Sequence, residues 1–251
     1  MRVDVQAYWL PKAGNALEEY EDAFWQSRIP TGDADFLRLA VADGATETSF
    51  SRSWALLLAK AYCRGRLAAD NLQSGLPKLQ RIWKRHVGKK PLPWYAEQKL
   101  ESGAFAAIAG IKIGSQVKEW SAFAVGDCCV FHTREEVILT SFPMDHAEQF
   151  NNRPLLLSSV ASNNLGVVES VKCISGTWVS GDTFYLMSDA LAAWFLRYAS
   201  LPGGDAAYCL RTLTNQRSFA DFVELQRNDV FKDGEPMMRN DDVTLLACTI
   251  T

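Results

Sequence analysis

Two stretches decide how this chain folds: FLRLAVADG at residues 36–44 and TFYLMSDALAAW at residues 183–194. Each is an apolar run of strand length that stops on an aspartate. FLRLAVA reads as a strand, and Asp43-Gly44 ends it, because an Asp-Gly pair favours a turn. TFYLMS reads as a second strand running into Asp189, and the Ala-Leu-Ala-Ala-Trp that follows favours a helix over residues 190–199.

The flanking sequence repeats these two themes. Val3, Val5, Ala7 and Trp9 share one parity, while Arg2, Asp4, Gln6 and Tyr8 share the other, the period of a half-buried strand. Past residue 103, AFAAIAGIKIG, WSAFAVGD, CCVFHT and VILTSF read as sequential antiparallel strands. GVVESVKCI at 166–174 and DVTLLACTI at 242–250 read as further strands. Between the early and middle strands, Ser49 or Ser51 is placed to cap a helix reaching about residue 70, with Trp54, Leu57, Leu58, Ala61 and Tyr62 as its buried stripe. A second helical stretch is expected over 77–101, carrying most of the basic cluster Lys78, Arg81, Lys84, Arg85, Lys89 and Lys90, which reads as a solvated face or else as a contact site for an anionic partner. Helices are also expected over 205–214 and 218–227, and residues 142–165 read as a long Asn-rich surface loop. Strands lead, helices interrupt and strands return without regular alternation, so the fold class is α+β rather than doubly wound.

Composition narrows the function classes. The chain has 251 residues, 48% of them hydrophobic and 22% charged, a balance that supports a packed core and excludes disorder as the main state. Twenty-six Lys and Arg against 29 Asp and Glu leave no basic surplus, which argues against nucleic acid as the partner. No apolar run is long enough for a transmembrane helix, and MRVDVQAYWLPK lacks the pattern of a signal peptide, so a cytoplasmic location is expected. Six cysteines without a CxxC pair, and only three histidines, speak against a zinc site; the cysteines read as reduced and mostly buried. His86, His132 and His146 read as surface or strand residues. No GxSxG elbow is present, and the Cx5R spacing from Cys128 to Arg134 falls in an expected strand rather than a loop, so neither offers a protein nucleophile.

The acids fall in a suggestive place. Asp43, Asp189 and the pair Asp241-Asp242 each adjoin an end of an apolar strand; Glu21-Asp22 precedes Ala23-Phe24-Trp25, and Asp127 follows AFAVG. Carboxylates converging on one rim of a sheet repel one another unless cations neutralise them, and an all-oxygen set selects hard ions such as Mg²⁺ or Mn²⁺. Taken singly, each has an ordinary alternative: Asp43-Gly44 a turn, Gly126-Asp127 a hairpin, Asp189 a helix cap, Asn240 to Asp242 a polar turn.

The order of these blocks resembles the metal-dependent protein phosphatases of the 2C type, in a divergent bacterial form. EYEDAF (19–24), LAVADGATET (39–48), ESGAFAAIAG (101–110), FAVGDCCVF (123–131), GDTFYLMSDALAAW (181–194) and NDDVTLL (240–246) match the family's motifs in family order across nearly the whole chain. The resemblance implies a single domain over residues 1–251, built as a four-layer α-β-β-α sandwich of two packed antiparallel sheets, with a flap-like loop around 142–165. It implies hydrolysis of phosphoserine or phosphothreonine on proteins by a metal-activated water at a binuclear Mg²⁺ or Mn²⁺ centre. Asp43 would bridge the two ions and the Gly44 carbonyl would bind one. Glu21 would bind the second ion, Asp22 would hold metal-bound water, Asp189 and Asp241 would bind the first ion, and Asp127 would help hold a third. Asp22, Asp43, Asp189 and Asp241 are the implied catalytic set. The implied partner is a phosphoprotein, opposing a Ser/Thr kinase in a bacterial cytoplasm, with the enzyme a monomer.

The match departs at four points, one of them the family's closing Asp-Asn pair, which here is Asp241-Asp242 and adds a charge beside the site. Ala45 stands where the family often has a histidine proposed as general acid. Leu17 stands at the spacing of its phosphate-binding arginine, which leaves Lys12 as a candidate substitute or else a solvated loop lysine. Ala190, not glycine, follows Asp189. Missing His and Arg keep a second reading open, a catalytically weak or inactive domain that binds a phosphoprotein. Asn151, Asn152 and Arg153 in the loop are candidates for meeting a phosphoprotein surface, or form a solvated turn.

Overall fold

A computed structural model of the chain describes residues 1–28, 36–45, 50–88, 102–150, 154–231 and 234–251. Its strands are β1 (Val3–Leu10), β2 (Ala23–Gln26), β3 (Phe36–Gly44), β4 (Phe105–Gly114), β5 (Glu119–Val125), β6 (Cys129–Arg134), β7 (Val137–Phe142), β8 (Leu157–Ser158), β9 (Lys172–Thr177), β10 (Asp182–Met187) and β11 (Val243–Ile250). They form two antiparallel sheets. One runs β1-β11-β10-β6-β7; the other runs β2-β3-β4-β5-β9, with β8 paired to β4.

Side-chain alternation sorts each strand between two cores. Leu37, Leu39 and Val41 of β3 point into the space between the sheets, where they meet Ile111 and Ile113 of β4, Phe184 and Leu186 of β10, and Leu246 and Cys248 of β11. The opposite parity, Ala40 and Ala42, faces an outer layer made by α1 (Ser51–Cys63) and α2 (Leu72–Val87), which buries Trp54, Leu58, Leu79 and Trp83. The other sheet's outer face, with Tyr8, Phe131, Tyr185 and Leu245, is covered by α3 (Asp189–Ala199), α4 (Ala206–Arg211) and α5 (Gln216–Asn228), which supply Trp194, Phe195, Phe219 and Val223. The layers therefore stack α-β-β-α. Each large side chain removed from water here is worth about 1.5–3 kcal/mol, so three separate apolar layers hold the sandwich.

Several local expectations need correction. Ala23–Gln26 is a strand, β2, paired to β3 from Ala23 opposite Ala42 to Gln26 opposite Leu39; four residues beside an acidic run are too few to show a period. Helix α1 stops at Cys63 rather than near 70. Its cap position is Phe50, in the left-handed region at φ 66°; Ser51 is the first helical residue and makes no cap bond. Ser49 lies outside the described residues. Helix α2 begins at Leu72, earlier than expected, and the expected stretch beyond Gly88, with Lys89 and Lys90, lies outside the described residues up to 101. Strand β9 is shifted to Lys172–Thr177, because residues 166–170 are occupied by turns. The 142–165 segment contains two short 3-10 turns and β8, so it is tied to the second sheet; Asn151, Asn152 and Arg153 lie outside the described residues. The described cysteines are all free, and Cys63, Cys128, Cys129 and Cys248 are buried. Among the described residues, no helix is long and apolar enough to cross a membrane.

Candidate metal centre

The two sheets deliver their acids to one end of the sandwich. Asp43 is the penultimate residue of β3 and Asp22 immediately precedes β2, which runs back along it. In the facing sheet, β10 ends at Met187 opposite Leu245 of β11, so Asp189 and the Asp241-Asp242 pair share that rim. Asp127 occupies the turn between β5 and β6, beside Gly126, whose φ of +90° and close approach to Ala107 explain the glycine.

A hydrogen-bond chain fastens the two rims together. The Tyr20 phenol lies 2.5 Å from Thr244 Oγ1, which donates in turn to Asp22 Oδ2 at 2.7 Å. The Thr244 backbone N–H donates to Ser188 Oγ at 2.9 Å, and Ser188 N–H donates to the Thr244 carbonyl at 3.2 Å. Asp242 accepts from the backbone N–H of Lys12 at 2.8 Å and from that of Glu21 at 2.6 Å. It therefore braces the first acidic motif against the start of β11, a positioning task that differs from that of Asp241. Arg227 of α5 donates to the carbonyls of Pro11 (3.1 Å) and Asp241, fixing the same junction from outside. Ser51 donates to Glu21 Oε1, which links α1 to the motif. Gly44 is needed for close approach: a Cβ there would lie 2.8 Å from the Glu21 carbonyl and 2.9 Å from Ser51 Cβ.

The electrostatics mark this rim as one cluster. Asp22, 1% exposed, is pushed up to about 8, first by burial and then by Asp242 and Asp189, against the Thr244 hydrogen bond. Asp43, part-exposed on the rim but set deep among protein atoms, is pushed well above the carboxylate range by burial and by Asp22, Asp189, Asp127 and Asp241. Burial and Asp189 carry Asp127 up to about 7. Asp189 is raised by burial and by Asp241, although Arg239 opposes this. Asp22, Asp43, Asp127, Asp189 and Asp241 thus act on one another electrostatically at this rim. Two buried carboxylate oxygens, Asp22 Oδ1 and Asp189 Oδ1, have no hydrogen-bond partner.

The sequence-expected residues thus fall as follows. Asp22, Asp43, Asp127, Asp189 and Asp241 are brought together, and Glu21 and Gly44 meet beside them. Lys12 reaches the rim through its backbone bond to Asp242. Ala45 donates its N–H to the Phe105 carbonyl at 3.0 Å, which continues the β3–β4 pairing past Gly44. Sequence reasoning missed Thr244, Ser188, Arg227 and Arg239. Only Arg239 carried a local signal, a cation two residues ahead of an acidic pair.

Among the described residues, no group of three or more His, Cys, Asp or Glu is placed so that it could hold a metal ion. The donor chemistry nevertheless fits a hard divalent cation. The ligand atoms are all oxygen, two buried carboxylate oxygens are unpartnered, and the acids raise one another's affinity for positive charge.

No family model matches the chain, and no curated protein matches it. Solved structures do, over essentially its full length. RsbX in complex with magnesium matches at 17% identity and a TM-score of 0.56, covering 99% of this chain and 96% of that one. The Mycobacterium tuberculosis serine/threonine phosphatase PstP/Ppp matches at 16% identity and 0.58, with 99% and 98% covered. A bacterial serine phosphatase matches at 13% identity and 0.62, with 100% and 98% covered. At these identities the likeness is one of fold, and the fold is that of the 2C-type phosphatases.

Proposed function

We propose that this chain is a divergent bacterial member of the 2C-type phosphatases that hydrolyses phosphoserine or phosphothreonine on proteins, using two Mn²⁺ or Mg²⁺ ions and a third at Asp127. The observation that carries the reading is the convergence of Asp22, Asp43, Asp127, Asp189 and Asp241 on one rim, with buried carboxylate oxygens left unpartnered. A structural core has no use for such a set, since each acid costs stability in the absence of a cation. The solved structures of this fold include one complex with magnesium and named serine/threonine phosphatases.

Glu21, Asp43, the Gly44 carbonyl, Asp189 and Asp241 would hold the two ions, and Asp127 the third. Bound there, divalent cations would activate water and offset charge on the phosphoryl oxygens. The chain's own groups do the rest. Thr244 holds Asp22 by Oδ2 and leaves its buried Oδ1 without a protein partner. Asp242 and Arg227 keep the first acidic motif and the start of β11 in register. Lys12 is the substrate-side cation on the β1–β2 connection, and the 142–165 segment acts as the flap. The whole forms one domain, a cytoplasmic monomer that reverses the action of a Ser/Thr kinase.

The departures support a second reading. Ala45 has no proton to give, and Leu17 is 50% exposed where the family places an arginine. On that reading the domain binds a phosphoprotein without turning it over. Hydrolysis of p-nitrophenyl phosphate and of phosphopeptides with Mn²⁺ separates the two, with EDTA and Asp189→Asn as controls. Metal-dependent turnover lost in both controls supports the enzyme. Metal binding without turnover on either substrate supports the binding module, and neither metal binding nor turnover overturns the enzyme reading.

A further inference from the structure

Arg239 is the cation at the heart of the acidic rim. It lies on the stretch leading into β11, and its Nη2 donates to Asp189 Oδ2. Its charge is felt by Asp127 as well as by Asp189. The guanidinium is incompletely used: Nε is buried without a hydrogen-bond partner, while the side chain as a whole remains 41% exposed. That exposed part faces a cavity of about 960 Å³, walled by Phe150, Ala190, Trp194, Phe231 and Met237. Arg239 therefore bonds Asp189 and also lines a roomy, mainly apolar cavity. Arg197 lines the same cavity, but its guanidinium lies 3.8 Å from the Phe231 ring centre and is committed to that aromatic face.

We propose that Arg239 is a substrate-binding residue that exchanges partners: it neutralises Asp189 when no divalent cation is present, and it donates to the phosphoryl oxygens of the substrate when a cation holds that carboxylate. The inference rests on the phosphatase reading and names a residue of that same site. The chemistry supports the exchange. A guanidinium and a divalent cation compete for one carboxylate oxygen set, and a guanidinium freed from a carboxylate matches phosphate through the same paired N–H geometry. No covalent change is involved, and the side chain lines the cavity while bonding Asp189, so a phosphorylated segment entering along the cavity would meet it.

This predicts two effects of opposite sign from one substitution. In Arg239→Gln, calorimetric titration of the metal-free protein with Mn²⁺ should show several-fold tighter binding, because a competing cation is gone. Inorganic phosphate should bind the Mn²⁺-loaded variant about tenfold more weakly, and KM for a phosphopeptide should rise more than kcat falls. Arg239→Lys keeps the charge and should return metal affinity toward the wild type, with phosphate binding recovering only in part, since lysine lacks the fork. Unchanged phosphate and metal affinities in Arg239→Gln would overturn the proposal. So would a parallel loss of both, with a lowered unfolding midpoint that Arg239→Lys restores, since that is the behaviour of a structural brace. If the wild type binds Mn²⁺ and phosphate but does not turn over, the phosphatase reading fails while the binding measurements still decide Arg239. A wild type that binds no Mn²⁺ overturns both.

Discussion

Strand β10 carries a buried aspartate at one end and opens onto another at its opposite end, and the two are treated in contrasting ways. Asp182, at its start, is fully buried and fully satisfied. It accepts from Arg134 Nε at 2.7 Å and Nη2 at 3.1 Å, from the Val179 N–H at 2.9 Å, and shares a 2.8 Å hydrogen bond with His132 Nε2. Burial pushes Asp182 up, but Arg134, Val179 and His132 together hold it below the usual carboxylate value. Asp189, just past the other end, has one cation and several acids for company, keeps one oxygen unpartnered and is raised. The first arrangement is complete within the protein. The second is incomplete, and what it lacks is positive charge. A buried acid is informative only through its partners: compensated, it is architecture; uncompensated and grouped, it points to a ligand.

The sharpest way to break this contrast is to neutralise one acid at each end. Asp43→Asn should reduce metal-dependent phosphatase turnover by at least about a hundredfold, the upper effect seen even for groups behind the ligands. The same variant should be more stable than the wild type in EDTA, because a repelling charge is gone. Asp182→Ala should do the reverse. It should lower unfolding free energy in urea by about 3 kcal/mol, since it strands buried donors, and leave the Mn²⁺ dependence of turnover unchanged. If Asp43→Asn proves destabilising without metal and fully active with it, the two ends are not different in kind.

The ends should also answer pH in opposite directions. Asp22 and Asp127 hold protons in the folded, metal-free protein up to about 8 and about 7, whereas the unfolded chain releases them near 4. The folded form binds more protons over that interval, so their contribution to stability falls as pH rises from about 4 to about 8. Asp182 has a lowered folded value, so its contribution is present above the unfolded value and is lost as pH falls through the folded one. Urea unfolding across pH, with and without saturating Mn²⁺, checks both limbs: the metal should remove the neutral-pH decline and leave the acid limb in place. The smallest effect is expected at Lys12. It meets the rim through its backbone, so Lys12→Ala should raise KM for a phosphopeptide less than about threefold, the size of an exposed ion contact.

The contrast also shows what a sequence can and cannot reveal. β3, β4 and β10 were legible because a strand buried on both faces needs continuous apolar residues, and their terminal acids stood out against that background. The short β2 was hidden, because its four residues are set by pairing with β3 and not by any period of their own. The end of α1 and the start of β9 were displaced by local turns: Gly65, at φ 67°, and Arg66 donate back to Tyr62 and Ala61, and residues 165–170 are bonded within themselves and to Asn164. Within the site the carboxylates were visible, while Thr244 was not: its task is to reach Asp22 across 222 residues of chain, and nothing local records that. Arg134 and Asp182 are likewise far apart in sequence, so the compensated end of β10 could not be told from the uncompensated one.

The position of β11 has a consequence for biosynthesis. It is the last strand in chain order, yet it is inserted between β1 and β10 rather than added at an edge. It brings Thr244, the clamp on Asp22, and follows directly on Asp241 and Asp242. A nascent chain therefore carries β1 and β10 as open edges and a rim without its lock until β11 has been made. A chain interrupted before residue 240 would lack Asp241, Asp242 and the Thr244 bond to Asp22 together.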